Sequence, residues 1–255
     1  MPSPTERYLP ALLAGDTAAL TALFAAEPLL DDPLAGHVQG AAALAQFAAE
    51  RHAWLAERAA TLEPIRTTTM AARTVVEALL HLSLKGKPTE LPIAVVGVNA
   101  GGDRVSALRV YHSQWPLIGG HRVRPPLLTR DPAAHETDIV AAYQAALAAG
   151  DLDAIVATFE PDGYFREPAG GEWVYRGHAR LREFMAHLLA SGGIGLEHCT
   201  VTDDGVACAL EFNAVRFGRQ ALTPQAGVAV YERGPSGRLR AARIYDDVNV
   251  EALAG

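Results

Sequence analysis

The sequence predicts an α+β protein made of two tandem cone-shaped domains, each a curved antiparallel sheet with helices packed on one face. Three observations predict it. The chain repeats itself at a nearly constant spacing, a proline-rich break separates the copies, and each copy runs from helical to strand periodicity.

The repeat is read first. Tyr8-Leu-Pro-Ala-Leu-Leu-Ala-Gly-Asp16 matches Tyr143-Gln-Ala-Ala-Leu-Ala-Ala-Gly-Asp151 at a shift of 135. The same shift carries Phe24 to Phe159, Asp32 to Glu167 and Pro33 to Pro168. Two extra residues then move it to 137, pairing Gly40 with Gly177, Leu44 with Leu181 and Phe47 with Phe184. Further on, a shift of 134 pairs Glu63 with Glu197, Glu77 with Glu211, and Arg109-Val-Tyr111 with Arg243-Ile-Tyr245. A run this long with such small drifts means duplication.

The boundary follows from composition. The stretch 122–132, Arg122-Val-Arg-Pro-Pro-Leu-Leu-Thr-Arg-Asp-Pro132, holds three prolines and no periodicity, which reads as a linker. The first domain is therefore placed at 1–121, the linker at 122–134 and the second domain at 135–255, each of ordinary domain size.

Within the second copy, Ile139, Val140, Tyr143, Ala146 and Leu147 fall on one helical stripe. Gly150 suits the helix stop and Asp151 the next N-cap. Further helices are expected over 152–159 and 178–190. Strand-like runs follow at about 197–202, 206–217, 221–232 and 239–248, divided by turns at Asp203-Asp-Gly205 and Gly234-Pro-Ser-Gly237. In the first copy, Pro10 is expected only in a helix's first turn, which would put Tyr8 ahead of the helix. A sheet half covered by helices can enclose a cavity. Its other face needs a cover, which the two halves can give each other, or a second copy of the chain in a homodimer.

Composition excludes several function classes. Net charge is −7, and residues 1–125 hold 11 basic against 11 acidic side chains, the remainder 11 against 18. Neither half offers a basic footprint for nucleic acid. No apolar run reaches the roughly 20 residues of a membrane helix. The start lacks a signal pattern, and Cys199 and Cys208 are the only cysteines, so a reducing cytoplasm is expected. Histidine and cysteine spacing fits no metal site, and no phosphate loop or nucleophile elbow occurs. No cofactor is expected.

The stretch from Tyr143 through Phe159, then Phe165-Arg-Glu-Pro168 and Tyr175-Arg-Gly-His-Ala-Arg-Leu-Arg-Glu-Phe184, resembles the nuclear-transport-factor-2-like superfamily, in particular its ketosteroid isomerase branch. That resemblance implies Glu167 as the proton-shuttling base and Tyr143 as donor to a developing oxyanion. The branch's second donor, an acid on the third strand, falls near Gly227, and near Ile93 in the first copy; neither can donate from a side chain. The last strand, Arg243-Ile-Tyr-Asp-Asp247, resembles the ending of SnoaL-like polyketide cyclases and implies Asp246 as a pocket acid. His112 is its counterpart in the first copy, and Asp247 facing solvent is the plain alternative.

A second chemistry fits the acids. Asp32 pairs with Glu63 and Glu167 with Glu197, each an acid–Pro carboxylate plus a glutamate at the next strand. Two carboxyls in one low-dielectric pocket split their pKa values, so one can protonate an epoxide oxygen while the other deprotonates a hydroxyl or water. This resembles the fused epoxide hydrolase/cyclases of polyether biosynthesis. The candidate residues are thus Glu167, Tyr143, Glu197 and Asp246 in the second half, and Asp32, Glu63 and His112 in the first. Two readings stand: an acid–base enzyme, isomerase or epoxide hydrolase/cyclase, acting on an apolar polyketide-, polyether- or terpenoid-like molecule, or a non-catalytic module that binds such a ligand or dimerises.

Overall fold

The first copy of the repeat opens on a helix closed by a side-chain cap. The computed structural model describes residues 1–249. Helix α1 (Pro4–Ala14) starts at a capping box in which Ser3 Oγ accepts from the Glu6 backbone N–H and Glu6 Oε2 accepts from that of Ser3, at 2.7 Å for the latter. Pro10 lies inside this helix, which corrects the expectation that it marks a first turn. The box fixes the start six residues earlier, and Tyr8 is a buried helical residue.

The chain divides into two compact units, Met1–His112 and Ser113–Gly255. The first continues with α2 (Thr17–Ala22), the short strands β1 (Leu29–Asp32) and β2 (Gly36–Gln39), and α3 (Ala41–Glu57). Strands β3 (Thr61–Thr69), β4 (Arg73–Leu84), β5 (Lys87–Gly101) and β6 (Arg104–Tyr111) complete it. The second begins with the single turn α4 (Trp115–Ile118), then α5 (Asp138–Ala149), α6 (Leu152–Thr158), β7 (Phe159–Arg166), β8 (Val174–Arg176) and α7 (Gly177–Leu188). Its remaining strands are β9 (Ile194–Asp203), β10 (Ala207–Phe217), β11 (Gln220–Arg233) and β12 (Leu239–Asp246).

The two sheets share one topology, β2-β1-β6-β5-β4-β3 and β8-β7-β12-β11-β10-β9. Even the register repeats. Glu77 faces Ala94 across β4 and β5, and Glu211 faces Val228 across β10 and β11, both displaced by 134 residues. All pairings are antiparallel except β1 with β6 and β7 with β12, which run parallel. These parallel partners, and the β7–β8 hairpin itself, are absent from the sequence expectation. Pro161 and Gly163 inside β7 disguise it as a loop.

At the α5–α6 junction Gly150 takes the left-handed conformation (φ 72°) and closes α5, while Asp151 Oδ1 accepts from the Ala154 N–H at 3.0 Å to open α6. Val140, Leu147, Leu181 and Met185 of the helices join Leu210, Ala229 and Tyr231 of the sheet in one buried core. Register shifts within β10, between Glu211 and Phe212 and between Ala214 and Arg216, bend that sheet. Residues 113–135 belong to the second unit. Their backbone is tied down along its length: Ala226 N–H to Arg124 O, Asn213 Nδ2 to Leu128 O, and Asp131 N–H to His198 O, all within 2.9–3.0 Å. The stretch read as a linker is therefore packed on a domain. Its three prolines suppress periodicity without preventing docking. No described helix is long and apolar enough to cross a membrane.

Candidate active site

The helices and the bent sheet of the second unit leave a cavity of about 310 Å³ between them, at the small end of the roughly 300–1,000 Å³ usual for ligand sites. Its wall is apolar, built from side chains such as Leu147, Phe165, Leu196, Phe212 and Ile244. Into it project five polar side chains: His121, Tyr143, Glu167, Tyr231 and Asp246.

Glu167 follows β7 directly. Its N–H donates to Trp173 O and its carbonyl accepts from Gly170 N–H, so the tight turn after the strand fixes its backbone. Phe165 and Glu167 share the cavity side by strand alternation. Tyr175 of β8 donates its hydroxyl to Glu167 Oε1 at 2.6 Å, and its ring stacks on Phe184 of α7 with centroids 3.9 Å apart. Burial raises the Glu167 carboxyl above its ordinary pKa, against the opposing pull of the Tyr175 hydrogen bond and of His121 and His187.

Asp246 ends β12 opposite Gly227 of β11. Burial pushes its carboxyl up to about 7; the neighbouring Asp247 and Glu167 add to this, while the Val248 N–H and His121 oppose it. The glycine is what makes room. A Cβ built at Gly227 would stand 2.6 Å from Phe212 Cζ and 2.8 Å from Asp246 Cβ. The position where the resemblance places a third-strand acid is thus filled by neighbours.

Tyr143 of α5 is buried, edge-on to Phe159 at 5.8 Å and tilted against Tyr231 at 5.1 Å. Its hydroxyl has no hydrogen-bond partner among the described residues, and burial alone pushes the phenol up.

His121 is a residue that sequence reasoning missed. Gly119 ends α4, and His121 Nδ1 then lies 2.9 Å from Asp247 Oδ1. Asp247 is 5% exposed and also accepts from Ser113 Oγ at 2.8 Å and Arg122 N–H at 2.6 Å. It does not face solvent. Alternation at the end of β12 sends Asp246 into the cavity and Asp247 to the docked segment. The hydrogen bond to Asp247 raises the His121 pKa, burial opposing it.

Glu197 stands apart from this group. Leu196 lines the cavity, and Glu197, next along β9, points to the other face. The sequence pairing of Glu167 with Glu197 is replaced by Glu167 with Asp246.

In the first unit the acids are engaged otherwise. Asp32 Oδ1 accepts from the Leu34 and Ala35 N–H groups and from Arg51 Nη2, each at 2.9 Å. It is a turn and ion-pair residue, not a free base. Arg51 lies over the rings of Phe47 and Trp54. The 137-residue shift carries Arg51 to Leu188, a cavity-wall residue in the second unit. Glu63 is 60% exposed and 2.8 Å from His81 Nε2, so it shares no pocket with Asp32. Tyr8 is buried, and burial with the nearby Asp32 raises its phenol. His112 is buried just beyond β6.

Residues 140–242 match the model of the SnoaL-like domain, and the strand order shared by the two sheets makes the chain a tandem of two copies of one fold. The chain is similar to the epoxide hydrolase/cyclase-like enzyme SalBIII of pyran ring formation in polyether salinomycin, with 24% identity over 46% of this chain and 92% of that one, TM-score 0.37. It is similar to an M. tuberculosis LEH-like epoxide hydrolase, with 21% identity over 45% and 83%, TM-score 0.37. It is also similar to a ketosteroid isomerase-like fold from Catenulispora acidiphila, with 18% identity over 47% and 92%, TM-score 0.39.

Proposed function

We propose that the second unit is an acid–base enzyme that opens an epoxide on an apolar polyketide-, polyether- or terpenoid-like molecule, using its own side chains as acid and base. The observation that carries this is that Glu167 and Asp246 line the same apolar cavity, where the charge of Glu167 helps to raise the Asp246 carboxyl. Asp246, with its carboxyl near 7, is protonated often enough at neutral pH to give a proton to the epoxide oxygen. Glu167 takes the proton of the attacking hydroxyl or water. Gly227 favours this over isomerisation, because an enolate route of the family's kind needs a side-chain donor at that position. Epoxide opening needs one acid and one base, and the cavity supplies both.

The test is a panel of apolar epoxides, with and without an internal hydroxyl, assayed by mass spectrometry for ring-opened or cyclised product. Glu167→Gln and Asp246→Asn each keep the side-chain shape and should cost roughly a hundred- to ten-thousand-fold in turnover. Turnover by both variants at the wild-type rate would overturn the proposal. So would ligand binding without turnover by the wild-type chain, which would mark a binding module.

A further inference from the structure

We propose that His121 is a catalytic residue of this cavity, its Nε2–H donating a hydrogen bond to the substrate oxygen that gains negative charge, with Asp247 positioning it. This rests on the acid–base reading above and adds to it the group that stabilises the transition state.

The geometry makes the assignment. Carboxylate oxygens only accept, and Asp247 already accepts from Ser113 Oγ and Arg122 N–H. His121 Nδ1 must therefore be the donor in its 2.9 Å contact with Asp247. That leaves Nε2 as the working nitrogen of a ring that lines the cavity, and it carries its own N–H in the imidazolium form, which the hydrogen bond to Asp247 and the nearby Asp246 and Glu167 favour. Nε2 has no partner among the described residues. The ring is held from the side as well, with the Trp115 centroid 5.0 Å away at 35°. A buried carboxylate behind a histidine fixes its tautomer and supports its positive charge.

The charge pattern agrees. No lysine or arginine is among the cavity-wall residues, so His121 is the side chain there that can take up a positive charge. The groups that face it are Asp247, Asp246 and Glu167, all acids. Tyr143, unpartnered and buried across the same cavity, offers a second hydroxyl donor.

The step balances without covalent change at the imidazole. The attacking hydroxyl loses its proton to Glu167 as its oxygen bonds to the epoxide carbon. The carbon–oxygen bond of the epoxide breaks with its electron pair on oxygen, and that oxygen takes the proton of Asp246. His121 holds the oxygen's charge during the transfer and keeps both its protons. Glu167 then returns a proton to Asp246.

The experiment uses the whole chain and para-nitrophenol, an apolar acid whose ionised form is read by its visible absorbance. At neutral pH the wild-type chain should bind it with an enriched phenolate fraction. His121→Phe keeps the ring but removes the donor, and Asp247→Asn keeps the shape but loosens the imidazole. Both should weaken phenolate binding by about tenfold, with far-ultraviolet circular dichroism confirming the fold. If His121→Phe failed to fold, Asp247→Asn would decide alone. Equal phenolate binding by wild type and both variants would overturn the role of His121 and leave the carboxyl pair standing. No binding of the phenol at any pH would overturn both, since it would deny the apolar cavity itself.

Discussion

Arg51 Nη2 lies 2.9 Å from Asp32 Oδ1, with the two side chains 14% and 5% exposed, whereas the corresponding position in the second unit is Leu188, in the wall of the cavity that Glu167 lines with Tyr175 as its hydrogen-bond partner. A single basic side chain thus separates a structural acid from a chemically available one in two copies of the same fold.

The ion pair gives the first prediction. Arg51→Leu, which installs the second unit's residue, leaves a buried carboxylate without its cation and should cost about 3 kcal/mol of stability. Adding Asp32→Asn should recover part of that loss. Urea unfolding of the single and double variants checks it.

Asp246 should make stability depend on pH. Its pKa rises from the ordinary carboxyl value near 3.8 to about 7 in the folded chain. The neutral form is therefore favoured by folding. The contribution is fully present below the lower value and is lost as pH rises through the upper one. Wild-type melting temperature should fall between about pH 5 and about pH 8 by more than that of Asp246→Asn. Parallel slopes for the two proteins in thermal melts would contradict the burial of this carboxyl.

Gly227→Ala tests the packing behind Asp246. The added Cβ meets the Phe212 ring tip and the Asp246 Cβ. The Asp246 atom cannot swing aside without moving β12. Destabilisation of about 1–3 kcal/mol is expected, together with loss of turnover from a displaced carboxyl. Chemical denaturation and the epoxide assay read the two effects separately.

Glu197→Gln and Glu63→Gln should be silent. Glu197 points away from the cavity wall, and Glu63 makes an exposed pair with His81, worth at most about 1 kcal/mol. Turnover should match wild type in both. A Glu197→Gln variant as damaged as Asp246→Asn would show that the proton partner of Glu167 has been misassigned.

The fold was legible because its signals are local. The Gly150-Asp151 junction and the strand-like runs of β9 to β12 each declare themselves within about a dozen residues, and the repeat shift then doubles every such signal. The acid–Pro step at Glu167-Pro168 and the aromatic-Asp ending at Tyr245-Asp246 led to the cavity for the same reason. Glu197 was misjudged because its facing depends on which parity of β9 looks inward, and both parities there carry mixed polarity. His121 was invisible: it lies in a Gly- and Pro-rich stretch whose position is fixed by contacts with Asp247, more than a hundred residues on. Sequence pattern reports what a segment does with its neighbours, not where a segment without periodicity lands.

The docked segment 113–135 has a practical consequence for how this chain is divided. By the 134-residue shift, Ser113 corresponds to Asp247, so Trp115 and His121 are the tail of the first copy, yet His121 lines the second copy's cavity with Trp115 packed against its ring. The heritable module and the working module are out of phase. A second half excised at residue 135, where the repeat itself would suggest the cut, would carry a complete sheet and all its helices after α4. It would lack the imidazole, the indole beside it and all three donors to Asp247, from Ser113, His121 and the Arg122 backbone. Such a fragment would be a whole fold with an incomplete site, and any survey of single-copy pieces would undercount what the fused chain can do.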